Sequence, residues 1–236
     1  MLRARDIHKQ YGHDVHAVRG LSIEIERGAA VALAGESGCG KSTLARLLCC
    51  LEWCDGGTVE LDGCIYNSFR GGYSLNKFRR KVQIIFQDSA GSMDSRMTLR
   101  QTIAEPLDNF DPLFRRASRK EKDRRIAELL DQVGLNMDKA RCYPHELSGG
   151  QRQRALIARA LAPHPEYLIC DEPVSSLDAE SRDRITELLF SLQRQTGLGC
   201  LFISHDPILS SRISSRIHIM EQGKIVETKY PKQGEI

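Results

Sequence analysis

The stretch Gly35-Glu36-Ser37-Gly38-Cys39-Gly40-Lys41-Ser42 follows the apolar run Val31-Ala32-Leu33-Ala34 and leads into Thr43-Leu44-Ala45-Arg46-Leu47-Leu48. Strand, glycine-rich loop and helix in that order, with the spacing G-x-x-x-x-G-K-[ST], make a phosphate cradle. The glycines let the backbone curl so that successive N–H groups point inward at an anion. The helix N-terminus behind the loop adds unpaired N–H groups and the positive end of its dipole. The cradle therefore runs through Gly35, Ser37, Gly38, Cys39, Gly40, Lys41, Ser42 and Thr43. Lys41 is placed to reach the β- and γ-phosphates of a nucleoside triphosphate, and the Ser42 hydroxyl to ligate Mg²⁺.

Two further apolar runs end in chemistry. Tyr167-Leu168-Ile169-Cys170 is followed by Asp171-Glu172, and Cys200-Leu201-Phe202-Ile203 by Ser204-His205-Asp206. Ligands of parallel α/β sheets bind at the carboxyl ends of strands, so Gly35, Asp171 and His205 converge on one place. Asp171 is placed to hold the metal, directly or through water. Glu172 is placed to polarise an attacking water, and His205 to contact the γ-phosphate or orient that water. A second anion surface is Ser148-Gly149-Gly150-Gln151, just before another helix that Ser148 can cap.

The elements that must carry these residues follow from patterning. Residues 2–26 alternate, most clearly in Leu21–Glu26, as an antiparallel strand with one wet face does. Tyr11 falls in the loop Lys9–Gly12, where it can anchor the chain or stack on a base. A short strand lies between the turns at 55–57 and 62–63, a surface loop at 66–76, a strand at Val82–Phe86 and a mobile linker at 88–97. From Thr98 the period becomes helical. Ser118 and Glu121 have capping-box spacing, and Ile126, Leu129, Leu130 and Val133 follow on one face as far as Gly134. Residues 98–162 thus form a helical subdomain inserted in an α/β core. Its basic residues (Arg115, Arg116, Arg119, Lys120, Lys122, Arg124, Arg125) alternate with acids and read as a solvated face. Helices are expected at Gln151–Ala162 and Arg182–Gln195, and a hairpin at Ile217–Glu227 turning at Gln222-Gly223.

The whole, 236 residues with a net charge of +3, fits one large α/β unit with subdomains, and its composition gives no case for a protein that coats nucleic acid or a membrane. No apolar run approaches the ~20 residues of a membrane span, and Met1–Asp6 lacks the apolar core of a signal peptide. The expected location is the cytoplasm. None of the eight cysteines forms a C-x-x-C pair, so they read as reduced, small buried hydrophobes. Cys39, beside Lys41 at a helix N-terminus, is expected to have a lowered pKa and an alkylatable thiol.

The order of the phosphate loop, Gln87, Leu147–Gln151, Asp171-Glu172, Ser175-Ser176-Leu177-Asp178 and His205 resembles the ATP-binding subunit of an ABC transporter over nearly the whole chain. The resemblance implies a P-loop NTPase core with an antiparallel β subdomain and the helical insert, spanning 1–236. It implies an ATPase using ATP and Mg²⁺, with Tyr11 stacked on adenine. Gln87 would join Mg²⁺ and sense a membrane subunit. Ser148, Gly149 and Gly150 would grip the γ-phosphate held by the opposite subunit of a head-to-tail dimer, with Asp178 at the seam. The implied partners are a second ATP-binding subunit, two transmembrane permeases and, indirectly, a solute-binding protein, at the cytoplasmic face of the membrane.

The wording Phe86-Gln87-Asp88, Arg96-Met97-Thr98, Ala104–Leu107 and Tyr143-Pro144 is similar to the peptide/nickel importer subfamily. The sequence stops at Ile236, short of the C-terminal region many peptide-importer ATPases carry, which moves the expected solute toward nickel or another small solute. Three other readings compete. An accessory ATPase of a cytoplasmic carbon–phosphorus bond-cleaving system resembles the same subfamily. ABC ATPases of ribosomes or DNA repair need paired cassettes or coiled coils. A P-loop kinase would not need Ser148–Gln151 or His205.

Overall fold

The computed structural model describes residues 1–66, 73–87, 91–205 and 214–231, and the chain divides into two compact units. The first unit comprises residues 1–84, 166–172 and 192–236. In it, β1 (Leu2–Tyr11), β2 (Val15–Ile25), β4 (Gly56–Leu61) and β5 (Cys64–Ile65) form an antiparallel sheet in the order β2-β1-β4-β5. The alternation read from 2–26 is real: Leu2, Ala4 and Ile7 are buried, whereas Arg5 and Asp6 are exposed. Tyr11 is the last residue of β1 rather than a loop residue, because the pairing Tyr11↔Val15 continues the ladder up to the turn.

A second sheet has the order β10-β9-β3-β8-β7-β6. Its centre is β3 (Ala30–Ala34), β8 (Gly199–Ile203) and β7 (Tyr167–Asp171), parallel and buried at every residue. Full burial on both faces is why these runs show no alternation. Beyond β3 lies β9 (Arg216–Glu221), parallel to it, which turns back as β10 (Lys224–Lys229). On the other side is β6 (Val82–Ile85). Helix α1 (Lys41–Leu48) buries Leu44, Leu47 and Leu48 in the same core as Leu33, Ile169 and Ile203. Truncating one such leucine to alanine costs on the order of 2–5 kcal/mol.

Where a surface loop is expected at 66–76, helix α2 (Tyr73–Lys81) begins. Its polar sequence hides the period, although Leu75 and Phe78 reach the core before Val82. The rest of that loop, 67–72, lies outside the described residues.

The second unit comprises 85–165 and 173–191, wider than the expected insert of 98–162. Helices α3 (Leu99–Phe110), α5 (Arg119–Gln132) and α6 (Gly149–Leu161) pack together, with the short α4 (Pro112–Arg116) between the first two. Each has a side-chain cap: Thr98, Asp111, Ser118 and Ser148. Of the expected linker, 88–90 lies outside the described residues, while 91–97 folds as turns. There Asp94 accepts from the Arg96 amide at 2.9 Å, and the Met97 N–H bonds the Asp94 carbonyl at 3.0 Å. Turn geometry accounts for the lost period in the described part of this stretch. Helix α7 (Ala179–Thr196) follows Asp178.

Candidate nucleotide-binding site

Two glycines of the phosphate loop are sterically required. A Cβ on Gly35 would sit 2.2 Å from the Met220 carbonyl oxygen, and one on Gly40 2.1 Å from that of Ala17. Gly40 also holds φ at 109°, a region side chains avoid. The loop is thus wedged between β9 and β2, and the Gly223 N–H bonds the Cys39 carbonyl at 3.0 Å. Helix α1 behind it has no acid in its first turn and, unlike the four capped helices of the second unit, no side-chain cap. Its first N–H groups are left for a ligand.

Lys41 is buried, 6% exposed, and its ammonium donates to the carbonyls of Gly35 (2.8 Å) and Glu36 (2.7 Å). The Cys39 Sγ lies 3.7 Å from the same Nζ. The Ser42 hydroxyl donates to Asp171 Oδ1 at 3.2 Å, joining the start of α1 to the end of β7. Asp171 is 4% exposed, and its pKa is raised by burial, with the neighbouring Glu172 charge adding to the rise and Ser42 opposing it. A buried carboxylate beside a hydroxyl and a second carboxylate is a hard-oxygen set short of positive charge. This donor set fits a Mg²⁺ ion.

Glu172 holds φ at +47°, a left-handed conformation that costs a non-glycine residue on the order of 1 kcal/mol. Its N–H bonds the Ile203 carbonyl at 3.0 Å, so the sheet fixes that backbone. The Glu172 carboxylate, mostly buried, faces His205 Nδ1 at 3.4 Å, and His205 itself is exposed. Asp206 lies outside the described residues. Tyr11 is 39% exposed, and its hydroxyl bonds the Glu52 carboxylate and meets the Thr43 side chain. Burial and Glu52 raise the pKa of that hydroxyl. The sequence gives no signal for Glu52 or for its partner Arg46 at 3.4 Å, since no motif spacing joins them to Tyr11.

In the second unit, Ser148 Oγ accepts from the Gln151 N–H at 3.3 Å, and Gln151 Oε1 accepts from the Ser148 N–H at 3.1 Å. The Gln151 side chain therefore serves the cap, leaving the Ser148 O–H free to donate outward. Gly149 and Gly150 allow Leu177 and Ser181 to approach. Added Cβ atoms would meet those side chains at 3.4 and 3.3 Å. Ser148, Gly150, Gln151, Arg154, Ser181 and Arg184 line an open cleft of about 310 Å³. Burial, and then Arg184, lower the pKa of the Arg154 guanidinium, which donates to the Val133 carbonyl at 2.6 Å. Arg154 and Arg184 are the cations of its lining, and Arg184 also pairs with Glu180. Asp178 is exposed and accepts from the Ser181 N–H at 2.9 Å, capping α7. Gln87 is exposed, two residues past β6.

The family model described as "ABC transporter" matches residues 18–175. The chain belongs to the ABC transporter family. As a cassette of that family it is an ATPase. It is 46% identical to the oligopeptide transport ATP-binding protein OppF of Bacillus subtilis over 90% of this chain and 69% of that one. To OppF of Streptococcus mutans it is 44% identical over 93% of this chain and 70% of the relative. It is 45% identical to the glutathione import ATP-binding protein GsiA of Pectobacterium atrosepticum, covering 90% of this chain but a third of that longer protein. Among solved structures, the dimeric post-hydrolysis state of the ATP-binding cassette MJ0796 bound to ADP and Pi superposes with a TM-score of 0.87 at 28% identity. The match covers 98% of this chain and 99% of that one. In this ABC cassette the described residues include no helix long and apolar enough to cross a membrane.

Proposed function

We propose that this cassette is the ATP-hydrolysing motor subunit of an importer for peptides or related small solutes. The observation that carries the proposal is the end of β7, where buried Asp171 touches Ser42 and strained Glu172 faces His205. The relatives named above are peptide and glutathione import proteins, which favours peptides over nickel and import over carbon–phosphorus cleavage.

Tyr11 stacks on the adenine. The loop amides, Lys41 and Thr43 bind the phosphates. Ser42, Asp171 and Gln87 hold Mg²⁺, which when bound neutralises charge on the β- and γ-phosphates. Glu172 accepts a proton from water as the water oxygen bonds to the γ-phosphorus, and the bond to the bridging oxygen breaks, giving ADP and phosphate. His205 holds Glu172 and the water in line. Ser148, Gly149, Gly150 and Gln151 of a second ATP-binding subunit close over the γ-phosphate, with Asp178 at the seam. ATP closes the dimer and hydrolysis opens it, driving two permease subunits at the cytoplasmic membrane face, with a solute-binding protein acting through them.

Lys41→Ala tests the site: it removes the charge facing the β- and γ-phosphates, so ATP binding weakens and phosphate release stops. Near-normal hydrolysis in that variant overturns the assignment. Copurification with two permease chains tests the assembly. Isolation with soluble enzymes of phosphonate chemistry instead contradicts it.

A further inference from the structure

The basic stripe of the helical unit divides into two parts. In α5, Arg124 and Arg125 share Glu128 at 3.7 and 3.1 Å, and Lys122 pairs with Asp108 at 3.0 Å. That part is the solvated, self-neutralised face its sequence suggests. The preceding segment, Leu113–Lys120, is different. Arg116 and Lys120 are exposed and have no anionic partner among the described residues. Arg115 spends its guanidinium on a neutral group, the Asp108 carbonyl, at 2.8 and 2.7 Å. Arg119 reaches Asp123 only at 3.9 Å, and Arg100 already holds that carboxylate at 2.7 Å. The two acids flanking these cations are turned onto helix caps, Asp111 onto the Leu113 N–H and Glu121 onto the Ser118 N–H.

Among these cations stands Leu113, 81% exposed and the most exposed large apolar side chain among the described residues. Its exposure is an orientation, not fraying. Phe114 beside it is buried, with Lys122 Nζ 4.9 Å from its ring, and the Asp111 cap and the Arg115 clamp fix both ends of α4. An exposed leucine followed along the chain by four cations, two of them without an anionic partner among the described residues, combines an apolar wedge with attraction to anionic lipid.

We infer that Leu113, Arg115, Arg116, Arg119 and Lys120 form a docking surface for the anionic headgroups of a phospholipid bilayer. The four cations are spread along the segment and line no pocket, which suits a diffuse charged surface rather than one bound anion. Each cation near an anionic leaflet raises partitioning about fivefold. The surface alone therefore binds weakly, and it acts as a second contact for a cassette already held at high effective concentration beside membrane subunits. Only that location rests on the importer reading; the surface chemistry does not.

The test is cosedimentation of the full chain with millimolar lipid. One set of vesicles is phosphatidylcholine alone, and the other carries about one part phosphatidylglycerol to two of phosphatidylcholine. The chain should pellet only with the phosphatidylglycerol vesicles and be released by added salt. Arg116→Glu/Lys120→Glu should lower partitioning by at least about tenfold, and Leu113→Asp should weaken it too. Nucleotide hydrolysis by both variants, measured in parallel, should stay at the parent rate, which separates this test from that of the ATP site. Absence of wild-type binding, equal binding by the variants, or loss only of stimulation by permeases overturns the lipid surface. The last outcome would assign these residues to a protein partner.

Discussion

Glu172 Oε2 and His205 Nδ1 lie 3.4 Å apart at the carboxyl ends of the neighbouring parallel strands β7 and β8. His205 is 65% exposed, so the pair contributes little to stability. In the proposed mechanism its effect is to hold the carboxylate beside the attacking water. His205→Ala should lower kcat by about a hundredfold, the cost of a misplaced catalytic group, while the melting temperature stays within about 1 °C of the parent. Steady-state phosphate release and a thermal melt check this. Unchanged kcat would remove His205 from the reaction.

Asp171 should lower stability wherever it is ionised. Its raised pKa means that the folded state disfavours the ionised form. Stability is therefore lost as pH rises through the ordinary carboxylate value near ~3.9 toward the higher folded value, and stays lost at neutral pH. Asp171→Asn keeps the Ser42 hydrogen bond without the charge. Without nucleotide at neutral pH it should melt about 2–4 °C higher, the shift that ~1 kcal/mol gives in a chain of this size. The difference should shrink on acidification, and turnover should fall by at least about a hundredfold. A lower melting temperature would show that the charge is compensated within the chain.

The thiols should separate by burial. Cys49 and Cys170 are buried and shifted well above the ordinary thiol pKa, and burial pushes Cys50 and Cys200 up to about 12. Half-buried Cys39, 3.7 Å from the Lys41 ammonium, and exposed Cys64 should take iodoacetamide first. Bound ATP should slow modification of Cys39 at least about tenfold and leave Cys64 unchanged, as peptide mass spectrometry will show. Equal protection of both would place the nucleotide elsewhere.

His218 sets an acid limit. It is 8% exposed, with Nδ1 2.8 Å from Thr228 Oγ1 and Nε2 unpartnered, and burial with Arg216 nearby lowers its pKa to about 4. The unfolded chain takes up a proton near ~6.5 and the folded chain only near 4. Stability present above 6.5 should therefore fall by roughly 3 kcal/mol as pH drops through that window. Urea melts of wild type and His218→Gln should show the wild-type slope reduced in the variant. Identical slopes would contradict the buried neutral imidazole.

The strand ends were legible because β3, β7 and β8 are continuous apolar runs stopped by chemistry, and a phosphate loop needs its glycines at fixed spacing. Helix α2 was not, because its core contacts Leu75 and Phe78 sit in a polar, lysine- and arginine-rich stretch. The strand position of Tyr11 and its bond to Glu52 depend on β-sheet register, which local pattern does not encode. The left-handed backbone of Glu172 was equally hidden, since nothing in a glutamate announces strain.

In the proposed cycle ATP closes a pair of cassettes and Glu172 triggers their opening. Glu172→Gln keeps the size and hydrogen bonding of the side chain but cannot accept a proton, costing on the order of 10²–10⁴ in rate, or about 3–5 kcal/mol of barrier. Lys41, the loop amides and Asp171 should still bind ATP, and loss of a carboxylate beside a triphosphate should relieve repulsion. Size-exclusion chromatography of the variant with ATP and its partner cassette should show a stable closed dimer that wild type forms only transiently. Turnover at the wild-type rate with no trapped dimer would contradict the account and move the catalytic carboxylate elsewhere, first to Asp178.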